Sequence, residues 1–249
     1  MAASGEPTHR GFNVASTTIQ FREQARTFHY HDTRLGRAVF QGVFAGKSYP
    51  RLPFISDVRT VVDVGANIGA STLFFALNYP DARILAFEPY PESHALLVRN
   101  VEGLPQINTF DFGLYDSDKR APLHLGLEDS VTNSIGASTE AAADRDVVVK
   151  LRTASTVLTE QNVVGIDILK LDTEGCELPI LRSMVAWLAR VVVVYVEFHR
   201  ESDRREIDRM LSPTHVLFAG QITEPHRGEL CYVLRERVPP QVEARAIVL

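Results

Sequence analysis

Val61-Val62-Asp63-Val64-Gly65-Ala66-Asn67-Ile68-Gly69 decides how this chain is read. A short apolar strand carrying one acid runs into two glycines four residues apart. The next stretch, Ser71-Thr72-Leu73-Phe74-Phe75-Ala76-Leu77, has helical character and ends at Asn78-Tyr79-Pro80. Glycine permits turns that a side chain forbids, so a ligand can approach the backbone where the helix begins, among unpaired N–H groups and the positive end of the helix dipole. Arg83-Ile84-Leu85-Ala86-Phe87 reads as a second buried strand, closing on Glu88-Pro89. Nucleotide-binding folds place a ribose-binding carboxylate about 20 residues beyond such a turn. Strand, turn, helix, strand and acid together predict a nucleotide-type cofactor site.

A dinucleotide site needs G-x-G-x-x-G, in which the second glycine lets the backbone touch the pyrophosphate. Asn67 stands at that place, and no third spaced glycine follows. A side chain there crowds a pyrophosphate but tolerates a cofactor without phosphate, which disfavours an NAD(P) reductase. Asp63 points the same way, since its charge repels phosphate and attracts an ammonium or sulfonium. S-adenosylmethionine has both cations, and a ribose diol for Glu88.

At these residues the chain resembles the FkbM family of S-adenosylmethionine-dependent methyltransferases. The resemblance rests on Asp63 to Gly69, on Ala86-Phe-Glu-Pro89 with Pro91, on Asn100, on Ile166-Asp-Ile-Leu-Lys-Leu-Asp-Thr-Glu-Gly-Cys-Glu177, and on Val194-Tyr-Val-Glu-Phe-His199. The block from Lys170 to Glu177 is far more specific than the glycine turn. The match runs from residue 45 to residue 200, leaving both ends of the chain uncovered. It implies a doubly wound, mostly parallel α/β sheet of the Rossmann-like class I methyltransferase type, with O-methylation as the expected activity.

With 249 residues the chain suits one α/β domain and a short extension. A net charge of −5, with no Lys/Arg run interleaved with aromatics, disfavours nucleic acid as partner and leaves a small-molecule acceptor. Cys176 and Cys231 are far apart and lack metal-site spacing, so both are expected as buried or free thiols. The first ten residues have no apolar targeting stretch, and Val191 to Val196 is too short to span a bilayer, so a cytoplasmic protein without membrane contact is expected. Arginine outnumbers lysine 22 to 4, a bias that follows GC-rich genomes and points to actinobacterial natural-product metabolism.

Residues 1–16 read as loosely ordered, 17–56 as an N-terminal cap or lid, 57–237 as the methyltransferase domain and 238–249 as a tail. Within the cap, period-two alternation over Thr17 to His31 predicts a strand pair. Asp32 is expected to cap a helix carrying Leu35, Val39, Phe40, Val43 and Phe44, with Gly46 as its stop. The core strands are expected at Val61–Val64, Ile84–Phe87, Ile107–Phe112, Ile166–Leu171, Val191–Phe198, His215–Phe218 and Cys231–Arg235. An insertion with strands Ala121–Leu125 and Val147–Arg152 is joined by Glu128–Asp146, which is rich in small polar residues. It reads either as a flap over substrate or as a surface loop.

In an open parallel sheet the ligand crevice lies at the carboxyl ends of the strands. Glu88, with Pro89 beside it, is the ribose candidate. Asp63 is read as partner of the methionine ammonium or as a cap of the turn. Gly65, Ala66, Asn67 and Gly69 form the turn, and Gly113-Leu114 stand where such folds contact adenine. Asp172 should face the reacting methyl, as cofactor contact and catalytic residue. Glu197 and His199, two apart on a strand, share a face, so the carboxylate can orient the imidazole as a base. Glu174 and Glu177 flank Gly175, and Glu177 suits a first-turn acid better than catalysis. His29 and His31 share a cap-strand face, with a surface role preferred.

Asp172, Glu197 and His199 also offer hard ligands for a divalent metal such as Mg²⁺ that would acidify the acceptor hydroxyl, although no local spacing motif favours it. N-methylation, or a non-catalytic cofactor-binding scaffold, stays open beside O-methylation.

Overall fold

The computed structural model describes residues 13–21, 24–124, 134–135 and 147–240. The chain opens with an antiparallel hairpin, β1 (Val14–Phe21) and β2 (Gln24–His31), so ordered structure begins inside the segment expected to be loose. Helix α1 (Arg34–Phe44) follows, capped by Thr33, whose Oγ1 accepts from the Gly36 N–H at 2.9 Å. Asp32, the expected cap, instead accepts from Arg37 Nε at 2.9 Å. Two neighbouring residues were competent to cap, and a side-chain ion pair decided between them. Rings of the hairpin and α1 interlock: Phe28 meets Phe40 and Phe44 with centroids 5.5 Å apart, and Tyr30 meets Phe40 at 4.7 Å.

The core strands are β3 (Thr60–Val64), β4 (Arg83–Phe87), β5 (Ile107–Phe110), β10 (Ile166–Leu171), β11 (Val191–Phe198), β12 (His215–Glu224) and β13 (Arg227–Leu234). They form one sheet in the order β12-β13-β11-β10-β3-β4-β5, parallel except that β13 runs antiparallel to both its neighbours. Helices α2 (Ala70–Asn78) and α3 (Pro91–Asn100) serve the β3-to-β5 half. α4 (Ala154–Glu160), α5 (Glu177–Ser183) and α6 (Glu201–Leu211) serve the other. This is the doubly wound α/β sheet that the sequence predicts. The chain winds outward from β3 to β5 and then returns to place β10 on the far side of β3, so the topological switch point lies between β3 and β10.

Alternation along the strands splits the core in two. Val62, Val64, Leu85, Phe87, Leu169 and Leu171 pack with α4, α5 and α6, whereas Val61, Ile84 and Ile168 pack with α2 and the N-terminal cap. Both faces of the parallel strands are therefore covered, which is why they read as continuous apolar runs.

β5 stops at Phe110, two residues short of expectation, because the chain turns and enters a second sheet. That sheet holds β6 (Gly113–Tyr115), β7 (Lys119–His124), β8 (Ser134–Ile135) and β9 (Val147–Thr153), in the order β6-β9-β7-β8. The rest of the expected Glu128–Asp146 flap lies outside the described residues. No described helix is long and apolar enough to cross a membrane.

Candidate active site

Gly65 has φ +77°, and a Cβ there would sit 1.8 Å from the Asp172 carbonyl oxygen. Only glycine lets the end of β3 lie against the end of β10, so the turn closes directly on the switch point. Gly69, φ +89°, starts α2, where a Cβ would press on Leu97 Cδ1 at 2.8 Å. Between them Asn67 takes φ 49°, a left-handed conformation that asparagine tolerates better than most residues. Its N–H donates to Glu88 Oε2 at 2.8 Å, while the Tyr90 N–H donates to Oε1 at 2.8 Å. Asn100 ties the cap to this turn: its side-chain amide donates to Ile68 O at 2.7 Å and His29 O at 2.8 Å, and its oxygen accepts from the His29 N–H.

A cavity of about 120 Å³ opens above the turn. Gly65, Ala66, Asn67, Glu88, Pro89, Gly113, Leu114 and Asp172 line it, together with Val39, Phe40 and Val43 of α1 and with His31 and Tyr49. The cap thus roofs the cavity. Asp63 and Gly69 do not line it. Asp63 is 0 % exposed, its Oδ2 accepting from Ser71 Oγ at 2.8 Å and Thr72 Oγ1 at 2.6 Å and its Oδ1 lying 3.3 Å from Lys170 Nζ. The contact expected between Asp63 and a ligand ammonium is therefore replaced by an anchor for α2.

Burial pushes Glu88 up to about 7, despite the two backbone donors and Lys170. The folded chain holds a proton that the unfolded chain releases, so cofactor-free stability falls as pH rises from the ordinary carboxylate range to about 7. A ribose diol donates to the ionised form and favours it. We therefore expect S-adenosylmethionine to bind more tightly as pH rises through 7, with proton release on binding. Calorimetry in buffers of different ionisation enthalpy measures both; a flat profile across this range would remove Glu88 from the ribose contact.

Asp172 is 37 % exposed and lies at the mouth of β10, where Tyr49 Oη donates to its Oδ2 at 3.2 Å and Lys170 Nζ lies 3.5 Å away. Burial opposes its charge, but Lys170, a hydrogen bond from Glu197, His199 and Tyr49 together hold it below the usual carboxylate range. Burial pushes Tyr49 well up, so its phenol stays a donor. Glu197 is pushed up to about 8, by burial first and by Asp172 second. The two carboxyls thus share one proton, held on Glu197.

His199 does stand beside Glu197, Nε2 to Oε2 at 3.3 Å, but it also meets Glu174 Oε2 at 2.9 Å and faces Glu177 Oε2 at 3.9 Å. Burial alone would lower it, yet the contacts with Glu174 and Glu197 push it up to about 10. An imidazole protonated at neutral pH has no lone pair to offer, and His199 lines neither the first cavity nor the one beside it. The general-base expectation for His199 is corrected to that of a buried cation joining acids. Glu177, the first residue of α5, accepts from the Thr173 N–H at 2.8 Å, Thr173 Oγ1 at 2.9 Å and the Gly175 N–H, closing its own turn as expected of a first-turn acid.

The one metal-competent group among the described residues is Glu174, Glu197 and His199, with ligand atoms within 4.8 Å of one another; Asp172 is not part of it. Arg227 already donates to Glu174 at 2.8 Å, and the proton on His199 competes with an ion. We expect turnover to be unchanged in EDTA and unaffected by added Mg²⁺; loss in EDTA with recovery on Mg²⁺ would reverse this.

The methyltransferase FkbM domain model matches residues 63–219. The chain belongs to the FkbM methyltransferase family. Among relatives, 202 residues align at 27% identity with the AMB antimetabolite synthetase AmbE of Pseudomonas aeruginosa, covering 66% of this chain and 10% of that much longer protein. Methyltransferase sdnD of Sordaria araneosa is 29% identical over 207 residues, 69% of this chain and 78% of its own. The hexuronic acid methyltransferase AglP of Haloferax volcanii is 26% identical over 168 residues, 67% and 66% of the two chains. In structure, the putative methyltransferase yhhF of Escherichia coli superposes with a TM-score of 0.50 at 13% identity, over 88% of this chain and 98% of that one, a likeness of fold.

Three parts of this FkbM site went unassigned in the sequence. Lys170 is 2 % exposed and donates to Gly65 O at 2.6 Å between the carboxylates of Asp63 and Asp172. A lysine inside an apolar strand was the available signal. Its register opposite Asp63 gives the partner, and that register exists only once β10 pairs with β3. Tyr49 carried no motif. Cys176 lines the cavity, but burial pushes its thiol up to about 12, leaving an inert wall.

Proposed function

We propose that this FkbM methyltransferase transfers a methyl group from S-adenosylmethionine to a hydroxyl of a small molecule, with Asp172 accepting the hydroxyl proton. The observation that carries this reading is the position of Asp172: it lines the first cavity and also a second, adjoining one, so a carboxylate stands where two ligands would meet. The donors and shape of the first cavity fit the cofactor. Glu88 offers both oxygens to a ribose diol, the Gly65–Asn67 backbone lets a ligand lie close, and Pro89, Gly113 and Leu114 give a flat apolar wall for a base.

When bound, the cofactor supplies an electrophilic methyl on a sulfonium. The chain supplies alignment and a proton acceptor. Methyl transfer is an in-line displacement, so most of the rate comes from holding the acceptor oxygen about 3 Å from the methyl carbon. Tyr49 and Lys170 fix the Asp172 carboxylate while the acceptor proton moves to it. Glu197 lies behind as hydrogen-bond donor to Asp172, and His199 pairs with Glu174 without entering the reaction.

AglP is named for a hexuronic acid and AmbE for an antimetabolite, which supports a sugar or natural-product intermediate as acceptor. We place the reaction in the cytoplasm, where the cofactor is available. Labelled methyl should appear in an alkali-stable ether; label on nitrogen would convert the reading to N-methylation, and cofactor binding without transfer to any acceptor would leave a scaffold.

A further inference from the structure

Asn100, the last residue of α3, is 2 % exposed. Its side-chain oxygen accepts from the His29 N–H at 2.7 Å, and its amide donates to His29 O at 2.8 Å and to Ile68 O at 2.7 Å. The first two bonds are those a neighbouring strand would make. β2 belongs to a two-stranded sheet, so among the described residues no strand lies along its edge away from β1. One amide side chain carries both the donor and the acceptor that this edge needs at His29. The third bond goes to the glycine turn, where Ile68 lies between Asn67 and Gly69, both with positive φ.

Each end of this link belongs to one wall of the first cavity. Ile68 lines its floor with Gly65, Ala66 and Asn67. His31, two residues beyond His29 on β2, lines its roof, and α1 follows with Val39, Phe40 and Val43. Elsewhere the cap rests on α2 through an apolar cluster that includes Phe28, Phe40, Leu73 and Phe74. Such contacts hold surfaces together without fixing their register, because burial has no direction. The Asn100 bonds do have direction, and lifting the roof at β2 breaks both of those to His29.

Resting on the assignment of this cavity to S-adenosylmethionine, we propose that Asn100 is a positioning residue that latches the cap to the glycine turn and sets how often the roof opens for cofactor to enter and leave. Every partner in the latch is protein, so it forms with or without cofactor. Its loss speeds entry and release by like factors and leaves affinity nearly unchanged, since only a difference between bound and free states alters affinity. Plain loosening of the site speeds release alone.

The test measures association and dissociation rates of S-adenosylmethionine on the immobilised full chain by surface plasmon resonance, in wild type, His29→Val and His29→Pro. Both variants remove the imidazole, and proline alone also removes the N–H that Asn100 accepts from; an outward-facing position on an edge strand tolerates it. We expect both rates in His29→Pro to be at least about fivefold faster than in His29→Val, the worth of about one net hydrogen bond, with Kd within about threefold. Asn100→Asp keeps the acceptor and loses both donated bonds. Association at least about fivefold faster is expected there too, with dissociation faster still because Ile68 O is freed. Equal rates in His29→Pro and His29→Val, or faster release with unchanged association in either His29→Pro or Asn100→Asp, overturns the proposal, and Asn100→Asp decides alone should His29→Pro not fold. Failure of the wild type to bind the cofactor overturns the methyltransferase reading instead.

Discussion

Asp172→Asn is expected to lose about 10²–10⁴ in the rate of methyl transfer while leaving cofactor affinity in place. Asparagine has the size of aspartate and can still accept from Tyr49, so the geometry of the two cavities survives. What is lost is the carboxylate that takes the proton. Lys170 keeps Asp63 as a counter-ion in this variant, so the fold should hold. Single-turnover kinetics with saturating cofactor isolates the step. A rate close to wild type would mean that alignment alone drives the reaction and that Asp172 is a wall residue.

Lys170→Met is expected to give the largest change in stability, about 3–5 kcal/mol, because it removes one member of a buried ion pair and strands the other. Asp63 Oδ1 has no hydrogen-bond donor among the described residues, and Lys170 Nζ at 3.3 Å is what balances its charge. The substitution also frees the Gly65 carbonyl, so the turn should loosen and cofactor affinity should fall with stability. Adding Asp63→Asn should recover part of the loss, since the stranded charge goes with it. Denaturant unfolding of the single and double variants reads both effects. A single-variant loss below about 1 kcal/mol would show that the pair is not the support we describe.

Much of this architecture was legible because parallel strands covered on both faces have little choice of residue. Val61–Val64, Ile84–Phe87, Ile166–Leu171 and Val191–Phe198 could be read directly, and with them the strand ends at Glu88, Asp172 and Glu197. Charges that the fold turns inward were harder. Asp63 adjoins the glycine turn in sequence, yet side chains alternate along β3, and its carboxylate points to Ser71, Thr72 and Lys170 instead of the cavity. His199 shares a face with Glu197 as expected, but Glu174 reaches it from the loop before α5, and this further acid pushes the imidazole up, away from the range of a general base. The second cavity was hidden for another reason. Residues 47–50, inside the segment read as the cap, line it, but its other walls come from the ends of β10 and β11 and from β12 and β13, whose pairing partners cannot be read from local sequence.

The central claim is that cofactor binding and chemistry rest on different carboxylates, Glu88 for the first and Asp172 for the second. Calorimetric titration of the wild type, Glu88→Ala and Asp172→Asn with S-adenosylmethionine tests it most directly. Glu88→Ala removes a charge-assisted pair of ribose hydrogen bonds, about 1.5–3 kcal/mol, and should weaken binding roughly 10- to 100-fold. Asp172→Asn should bind as the wild type does. Unchanged affinity in Glu88→Ala, or a comparable loss in both variants, would contradict the account.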